Sequence, residues 1–296
     1  GKIMPQKQYG GQAVIEGVMM RGNDNIAVAV RQEDGEITTK ELMFNPWTKK
    51  FKFLKAPFVR GVFSLFQSLI LGMRALTFSA NQFADEEEEL TWWELTTSIG
   101  TALVLAILLF VVIPASVIEV IKAYIDSNLI LNLIEGVMKV SVLILYILSI
   151  SQLNDIKRVF EYHGAEHKVI NNYESDLDLN VENAQKFSTY HPRCGTNFLL
   201  IVMIVSILLF SFFGRPDLIN RILIHIALLP IVAGVSYELI KKAGQKDANK
   251  LFKWAAVPGL YLQRLTTSEP DDSQLEVAIK SLESVMENED SKAVRQ

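Results

Sequence analysis

LTTSIGTALVLAILLFVVIPASV, residues 95–117, is a continuous stretch without a charged side chain. The hydrocarbon core of a bilayer is about 30 Å thick, and a helix needs ~20 mostly apolar residues to cross it. Backbone polar groups inside the core must bond to one another, and a helix achieves this within one segment. The stretch therefore predicts a membrane-spanning helix and places the chain among mainly α-helical membrane proteins.

Three further apolar runs give a predicted total of about four transmembrane helices, in a membrane domain over residues 95–240. They cover residues 133–153, 198–213 and 218–240. The run at 198–213 is short, so it is expected to be tilted or re-entrant. Glu135 and Lys139 lie one helical turn apart in the run at 133–153. They are expected to pair or to lie near an interface.

The composition fits a membrane protein that also has long polar segments. Hydrophobic residues make up 50% of the 296 residues and charged residues 21%, against about 25% charged in average soluble domains. The formal net charge of −4 offers no basic surface, so no nucleic-acid partner is expected. The single cysteine excludes an intrachain disulfide and is consistent with a reducing compartment.

The polar segment before the membrane domain divides into two predicted units. Residues 1–56 are predicted to form a small β-rich unit, with a hairpin about the turn at Asp34-Gly35. Residues 57–82 carry apolar side chains at helical spacing, with Arg60 and Arg74 on the other face. This pattern predicts an amphipathic helix that lies at the membrane interface or packs against the bundle.

The segment after the membrane domain, residues 241–296, contains a predicted helix over residues 273–287.

The orientation of the membrane domain follows from Lys and Arg near the span ends, because these residues are enriched on the cytoplasmic side. An even number of spans with both termini in the cytoplasm fits the distribution, which also places residues 154–197 there. The bacterial inner membrane is the expected location. The cytoplasmic cations are Lys49, Lys50, Lys52, Lys55, Arg60, Arg74, Lys157, Arg158, Lys168, Lys186, Arg193, Lys241, Lys242, Lys246, Lys250 and Lys253. The outer loops have Lys122 and Arg215, with Arg221 just inside the fourth run.

The segment EYHGAEHK, residues 161–168, carries the clearest chemical pattern. On a helix, His163 and His167 lie one turn apart on the same face, which is the geometry of two metal ligands. Glu166 lies on that face as well, and His-x-x-Glu-His is the order of the inverzincins, in which the glutamate is a general base. Three of the four histidines and the single cysteine fall within residues 161–196. The segment therefore predicts a zinc site, with Glu166 as the candidate catalytic residue.

A second segment, YHPRCGT at residues 190–196, supplies the remaining candidate ligands. His191 and Cys194 flank a tight turn, so both side chains can reach one point. Four ligands would close the shell and predict a structural zinc, whereas three would leave a position open for catalysis. Four acidic residues are alternative oxygen donors: Glu174, Asp176, Asp178 and Glu238. His225, in the middle of the fourth run, is interpreted as a hydrogen-bonding residue between packed helices.

Four motifs together resemble the YqhQ-like family of bacterial multipass membrane proteins of unknown function, described as predicted metal-dependent enzymes. The motifs are GGQAVIEGVMMRG at 10–22, YHGAEHK at 162–168, HPRCGT at 191–196 and LQRLTT at 262–267. The resemblance extends over nearly the whole chain. It implies an inner-membrane protein of a bacterium, or a plastid relative, and it does not imply a particular reaction.

Two functions are compatible with these observations, and a third is weaker. The first is a cytoplasm-facing, metal-dependent hydrolase in which Glu166 activates water. The second is a non-enzymatic scaffold or assembly factor that docks on a membrane complex such as a translocon. A transporter, suggested by charged residues in the predicted spans, lacks the repeated halves and paired broken helices of that class. The expected partners are the lipid bilayer and a membrane protein complex.

Overall fold

The computed structural model describes residues 7–22, 25–42, 54, 56–83, 92–175, 177–214, 216–243 and 249–294. The strands are β1 (Gly10–Val14), β2 (Gly17–Arg21), β3 (Ile26–Arg31) and β4 (Ile37–Leu42). The helices are α1 (Val59–Ala80), α2 (Trp92–Ile107), α3 (Ile113–Ile121), α4 (Asn128–Ile150), α5 (Asn154–Tyr173), α6 (Val181–Gln185), α7 (Gly195–Phe210), α8 (Leu218–Ala243), α9 (Lys250–Thr266) and α10 (Asp272–Val294). A π-helical turn, Leu108–Val112, joins α2 to α3, and a 3₁₀ turn, Ser211–Phe213, follows α7. Residues used above that lie outside the described part are Lys49, Lys50, Lys52, Lys55, Asp176, Arg215 and Lys246.

The N-terminal strands form an antiparallel sheet in the order β1-β2-β3-β4. The predicted hairpin is confirmed as β3 and β4, whose turn contains Gly35 at a φ of 88°. Strand β3 is buried along nearly its whole length because both faces of the sheet are covered. Ala27 and Ala29 pack in a core with α5 and α10, and Val28 packs on the other face with Leu71 of α1. The sheet is therefore the middle layer of a helix–sheet–helix arrangement.

Within the described residues, five helices have the length and apolar composition to cross a membrane. Four of them coincide with the predicted apolar runs. The span that matches the first run, Thr96–Ile121, consists of α2, the π-helical turn and α3. The fifth is α1, which is the least apolar of the five and corresponds to the predicted amphipathic helix. The described chain is thus a mainly helical protein with a small antiparallel sheet and several candidate membrane spans.

Helix α1 contacts two different parts of the molecule. At its first turn, Arg60 donates to both carboxylate oxygens of Glu238 on α8, at 2.6 Å each. In the same turn, a Cβ on Gly61 would lie 2.8 Å from Cβ of Tyr237. Toward the other end, Leu71 and Ala75 belong to the core beneath the sheet. Helix α1 therefore bridges the C-terminal part of α8 and the sheet.

The second apolar run and the histidine motif lie on two separate helices. Helix α4 ends at Ile150, and Leu153 has an extended backbone before α5 begins. Ser151 and Gln152 donate side-chain hydrogen bonds to the Leu148 carbonyl at 2.9 and 3.2 Å. These bonds occupy a carbonyl that the next turn of helix would otherwise use, so the polar sequence ends α4.

A buried charge cluster joins α4 to α8 inside the candidate spans. Lys139 lies 2.9 Å from Glu135, which confirms the predicted pair. Glu135 also pairs with Arg221, and Nε2 of His225 lies 3.4 Å from the same carboxylate. His225 hydrogen-bonds the Arg221 carbonyl and stacks on Phe210, as its interpretation as a packing residue requires. One carboxylate thus holds two buried cations.

Glu135→Gln is expected to destabilise the protein by about 3 kcal/mol, because removing one partner leaves buried charges uncompensated. The measurement is thermal unfolding of the purified protein in detergent. Glu119→Gln is the matched control, since Glu119 pairs with Lys122 in a partly exposed contact worth at most about 1 kcal/mol. Equal effects of the two substitutions would contradict a structural role for the cluster.

Candidate metal centre

Helix α5 presents His163 and His167 one turn apart, as the sequence predicted. Their ring centroids are 4.4 Å apart. The opposite side of α5 is apolar: Tyr162, Ala165 and Val169 are fully buried in the core with the sheet and α10. Packing of the apolar side thus turns the two imidazoles toward a cavity of about 520 Å³ that both of them line.

Two backbone carbonyls select the tautomer of the two imidazole rings. Nδ1 of His163 lies 2.8 Å from the Thr266 carbonyl, and Nδ1 of His167 lies 2.5 Å from the Thr189 carbonyl. A carbonyl only accepts hydrogen bonds, so each Nδ1 must carry the proton. In the neutral form of each ring the lone pair then lies on Nε2, as a metal ligand requires, and backbone carbonyls orient many ligating histidines in this way.

Cys194 is the third donor at this centre. Its Sγ lies 3.2 Å from Nε2 of His163. Cys194 is also the N-cap of α7, and its sulfur accepts from the Thr196 amide at 3.4 Å. One donor atom from each of His163, His167 and Cys194 lies within 4.8 Å of the other two. The structure therefore brings together three of the four predicted zinc ligands.

His191, the fourth predicted ligand, is adjacent to this group but outside it. Its ring centroid is 5.8 Å from that of His167. Its Nδ1 accepts from the Arg193 amide at 3.3 Å, and its Nε2 lies 3.7 Å from Glu174. Burial lowers the pKa of His191, with Glu174 acting in the opposite direction. His191 thus supports the turn through Glu174, and the donor group keeps three members.

Sequence reasoning missed Gln263, which fixes the backbone of the second motif. Its side chain accepts from the His191 amide and donates to the His191 carbonyl, both at 2.9 Å. It also donates to Asn197 at 3.0 Å. Gln263 is fully buried on α9, so these bonds are shielded from water. The motif Leu262–Thr267 was recognised only through the family resemblance, and its contacts explain why it accompanies the histidines.

Two of the predicted oxygen donors, Glu174 and Glu238, have side-chain partners away from the donor group. Glu174 accepts from Arg193 and faces His191. Burial raises the pKa of Glu174, but the hydrogen bonds and charges of His191 and Arg193 outweigh it and lower the pKa to about 2. Glu238 is held by Arg60, whereas at Asp178 the backbone carbonyl accepts from Asn172 and Asn183. Among the described residues, none of these three belongs to the converging donor group.

Glu166, the candidate general base, is buried in the wall of the same cavity. Burial raises its pKa to about 7, and the charge of His163 and the Gly11 amide act against that rise. Gly11 belongs to β1, and a Cβ at that position would lie 2.8 Å from Cγ of Glu166. The glycine therefore permits the close approach. Sequence reasoning did not place this strand at the site, although the Gly10-Gly11 pair is a signal of close packing.

Gly164 holds α5 against the segment after α9. A Cβ at this position would lie 2.0 Å from the Ser268 carbonyl oxygen. The Ser268 amide in turn donates to the Phe160 carbonyl at 2.9 Å. The glycine weakens the helix by about 1 kcal/mol relative to alanine. Its presence here is explained by the contact, which keeps the Thr266 carbonyl beside His163.

Gly164→Ala is expected to lower the thermal stability and to reduce the predicted zinc content, because α5 must move away from the chain at Ser268. Gly100→Ala is the matched control, since a Cβ there meets no atom within 4 Å and alanine favours the helix. Thermal unfolding in detergent and zinc content measure the two effects. A Gly164→Ala protein as stable as Gly100→Ala would show that the contact is not required.

Comparison with known proteins gives a family but no activity. A family model described as "Protein of unknown function (DUF1385)" matches residues 56–288. The uncharacterized protein YqhQ of Bacillus subtilis (strain 168) is 35% identical over 294 residues, covering 94% of this chain and 92% of the relative. No solved structure matches the chain.

Proposed function

We propose that this chain, which belongs to the family of proteins of unknown function DUF1385, is a membrane-embedded, metal-dependent hydrolase. One observation carries the proposal: His163, His167 and Cys194 converge beside the buried Glu166 in a single cavity. Glu166 and two of the donors come from one helical turn, and Cys194 comes from the start of α7. Donor atoms for a metal and a carboxylate able to exchange a proton are therefore held side by side.

The donor set fits zinc. Imidazole nitrogen and thiolate sulfur are the ligands that Zn²⁺ prefers, and catalytic sites use three protein ligands with one position open. The carbonyls of Thr266 and Thr189 hold both imidazoles in the tautomer that leaves Nε2 free. Because His191 faces Glu174, the fourth position remains for water or substrate. This arrangement supports the catalytic alternative over a closed structural shell.

Zn²⁺ bound here would polarise a substrate oxygen and lower the pKa of water. The protein's own contribution is proton transfer and exclusion of bulk water. Glu166, with a pKa near 7, exchanges a proton readily at neutral pH, as a general base must. His191 and Arg193 line the same cavity, and through Glu174 they keep its wall in place.

The proposal includes four membrane spans. The packing of the N-terminal sheet against α5 and α10 supports an even number of spans. Residues of the sheet, of α5 and of α10 share one apolar core, so these three regions must lie on the same side of the bilayer. Two candidate spans, α7 and α8, separate α5 from α10. Three candidate spans separate the sheet from α5, namely α1, Thr96–Ile121 and α4. An odd number of crossings would put the sheet and α5 on opposite sides, so one of these three does not cross the bilayer.

Helix α1 is the candidate that does not cross. It is the least apolar of the five. Its first turn pairs with Glu238 near the C-terminal end of α8, and its Leu71 packs under the sheet. The C-terminal end of α8 leads to α9, and α9 carries Gln263 and Thr266 of the site. Both ends of α1 therefore lie on the side of the sheet, as an interfacial helix requires.

Cysteine labelling in intact bacteria tests this topology. The Lys and Arg distribution places the site side in the cytoplasm. Glu33→Cys and Glu283→Cys should therefore react with a membrane-impermeant maleimide only after lysis. Tyr124→Cys, which is highly exposed between α3 and α4, should react in intact cells. Opposite behaviour of the Glu33 and Glu283 positions would contradict an even number of spans.

Metal content of the purified protein tests the centre itself. Protein purified without chelators should hold about one zinc per chain. His167→Ala and Cys194→Ala should each lose most of it, because each removes a donor. His191→Ala and Glu166→Gln should retain it, and they serve as matched controls within the same cavity. The metal content per chain is measured by elemental mass spectrometry of acid-digested protein. Wild-type protein that contains no metal would exclude the proposal.

A scaffold is the alternative function, and the Gln263 network favours it. That network fixes the second motif to α9 without a metal, so the loop could serve as a rigid docking surface for a membrane complex. Glu166→Gln separates the two functions in complementation of a deletion strain. A hydrolase loses function with metal still bound, whereas a scaffold is unaffected by this nearly isosteric change.

A further inference from the structure

An apolar groove of about 430 Å³ lies between α4, α7 and α9. Its walls are formed by Val140, Leu143 and Ile144 of α4, Leu200 of α7, and Leu262 and Leu265 of α9. Every side chain that lines it is apolar except Tyr261. Two of the three helices are candidate membrane spans, so the groove opens on the part of the molecule that faces lipid.

The groove adjoins the metal-site cavity. Leu200 and Leu265 line the groove, while their chain neighbours Leu199 and Thr266 line the cavity. Phe160 also lines the cavity, and it packs with Leu262 in the apolar cluster beside the groove. The Thr266 carbonyl is the one that holds His163. An elongated molecule with an apolar part in the groove therefore has its polar end next to the donors.

The rim of the groove carries an aromatic residue and a cation. Tyr261 is 59% exposed, and the Arg264 guanidinium lies 4.8 Å from the centre of its ring. Within the described part of the chain, no carboxylate forms an ion pair with Arg264. An amphipathic ring and an unpaired cation are typical of the level of lipid headgroups. The rim is thus complementary to a phosphate.

We propose that the groove binds one hydrocarbon chain of a phospholipid and presents its headgroup to the metal-site cavity. The assignment of this lipid as substrate rests on the proposed hydrolase function, whereas its binding does not. A peptide is a poor occupant, because the described lining offers only the Tyr261 hydroxyl as a hydrogen-bond partner and each unpaired amide in an apolar site costs several kcal/mol. A hydrocarbon chain has no such groups to satisfy.

Photolabelling of the full-length protein in vesicles tests the groove. The probe is a phosphatidylglycerol with a diazirine near the end of one acyl chain, in phosphatidylcholine vesicles. Peptide mapping should find labelling concentrated at residues 140–144 and 257–265. Ile144→Trp fills the groove and should reduce that labelling about tenfold, a loss of ~1.4 kcal/mol in binding. Leu145→Trp is the control, because Leu145 is the next residue and is 63% exposed.

The result that overturns the proposal is even labelling of all lipid-facing helices, unchanged by Ile144→Trp, since this indicates contact with bulk lipid only. If Ile144→Trp does not fold, Val140→Phe places extra volume in the same groove and gives the same test. Excess unlabelled phosphatidylglycerol should compete, and diacylglycerol should compete less. In Arg264→Gln, phosphatidylglycerol and diacylglycerol should compete equally well. If phosphatidylglycerol still competes better in this variant, the role of Arg264 is overturned.

Zinc measured on the same samples separates this proposal from the proposed function. Ile144→Trp lies outside the donor group, so zinc content should stay at the wild-type level. Concentrated labelling of a protein without zinc would support the lipid site and exclude the hydrolase. Even labelling of a protein with zinc would overturn the lipid site alone.

Discussion

Burial of one side of α5 between the sheet and α10 is the interaction on which the site depends. Tyr162, Ala165 and Val169 are fully buried there, and burial of each larger apolar side chain contributes about 1.5–3 kcal/mol. Once these residues face the core, helical geometry leaves His163 and His167 on the cavity side. The orientation of the histidines is therefore a consequence of apolar packing.

The same packing completes the cavity from distant parts of the chain. Ser281 of α10 donates to the Ala27 carbonyl and accepts from the Met20 amide, both at 3.1 Å. These bonds attach the C-terminal helix to the sheet, whose first strand places Gly11 against Glu166. Strand β1 and helix α10 therefore lie on either side of the central motif. A protein that lost either end would also lose part of the cavity or its support.

Hydrogen bonding distinguishes the site histidines from the histidine in the membrane domain. His225 bonds a carbonyl with one nitrogen and lies beside Glu135 with the other, so both nitrogens have polar neighbours within the bundle. His163 and His167 also bond carbonyls, but both line the cavity, and a donor atom of each lies within 4.8 Å of the other and of Cys194. This difference is why the pair, and not His225, is proposed to bind a metal. The apolar groove beside them joins that polar site to the lipid-facing surface.

Local periodicity in the sequence was sufficient for much of this structure. The apolar runs predicted four of the candidate spans, the Asp34-Gly35 turn predicted the β3–β4 hairpin, and His-x-x-Glu-His spacing put two donors on one helix face. Each of these depends on neighbours within a few residues. Only the tertiary structure decided that Cys194 lies beside the two histidines. It also decided that His191 lies next to Glu174 and that Arg60 forms an ion pair with Glu238. It also placed the Thr266 carbonyl, 103 positions from His163. Such contacts depend on how separate helices pack, and no local spacing encodes them.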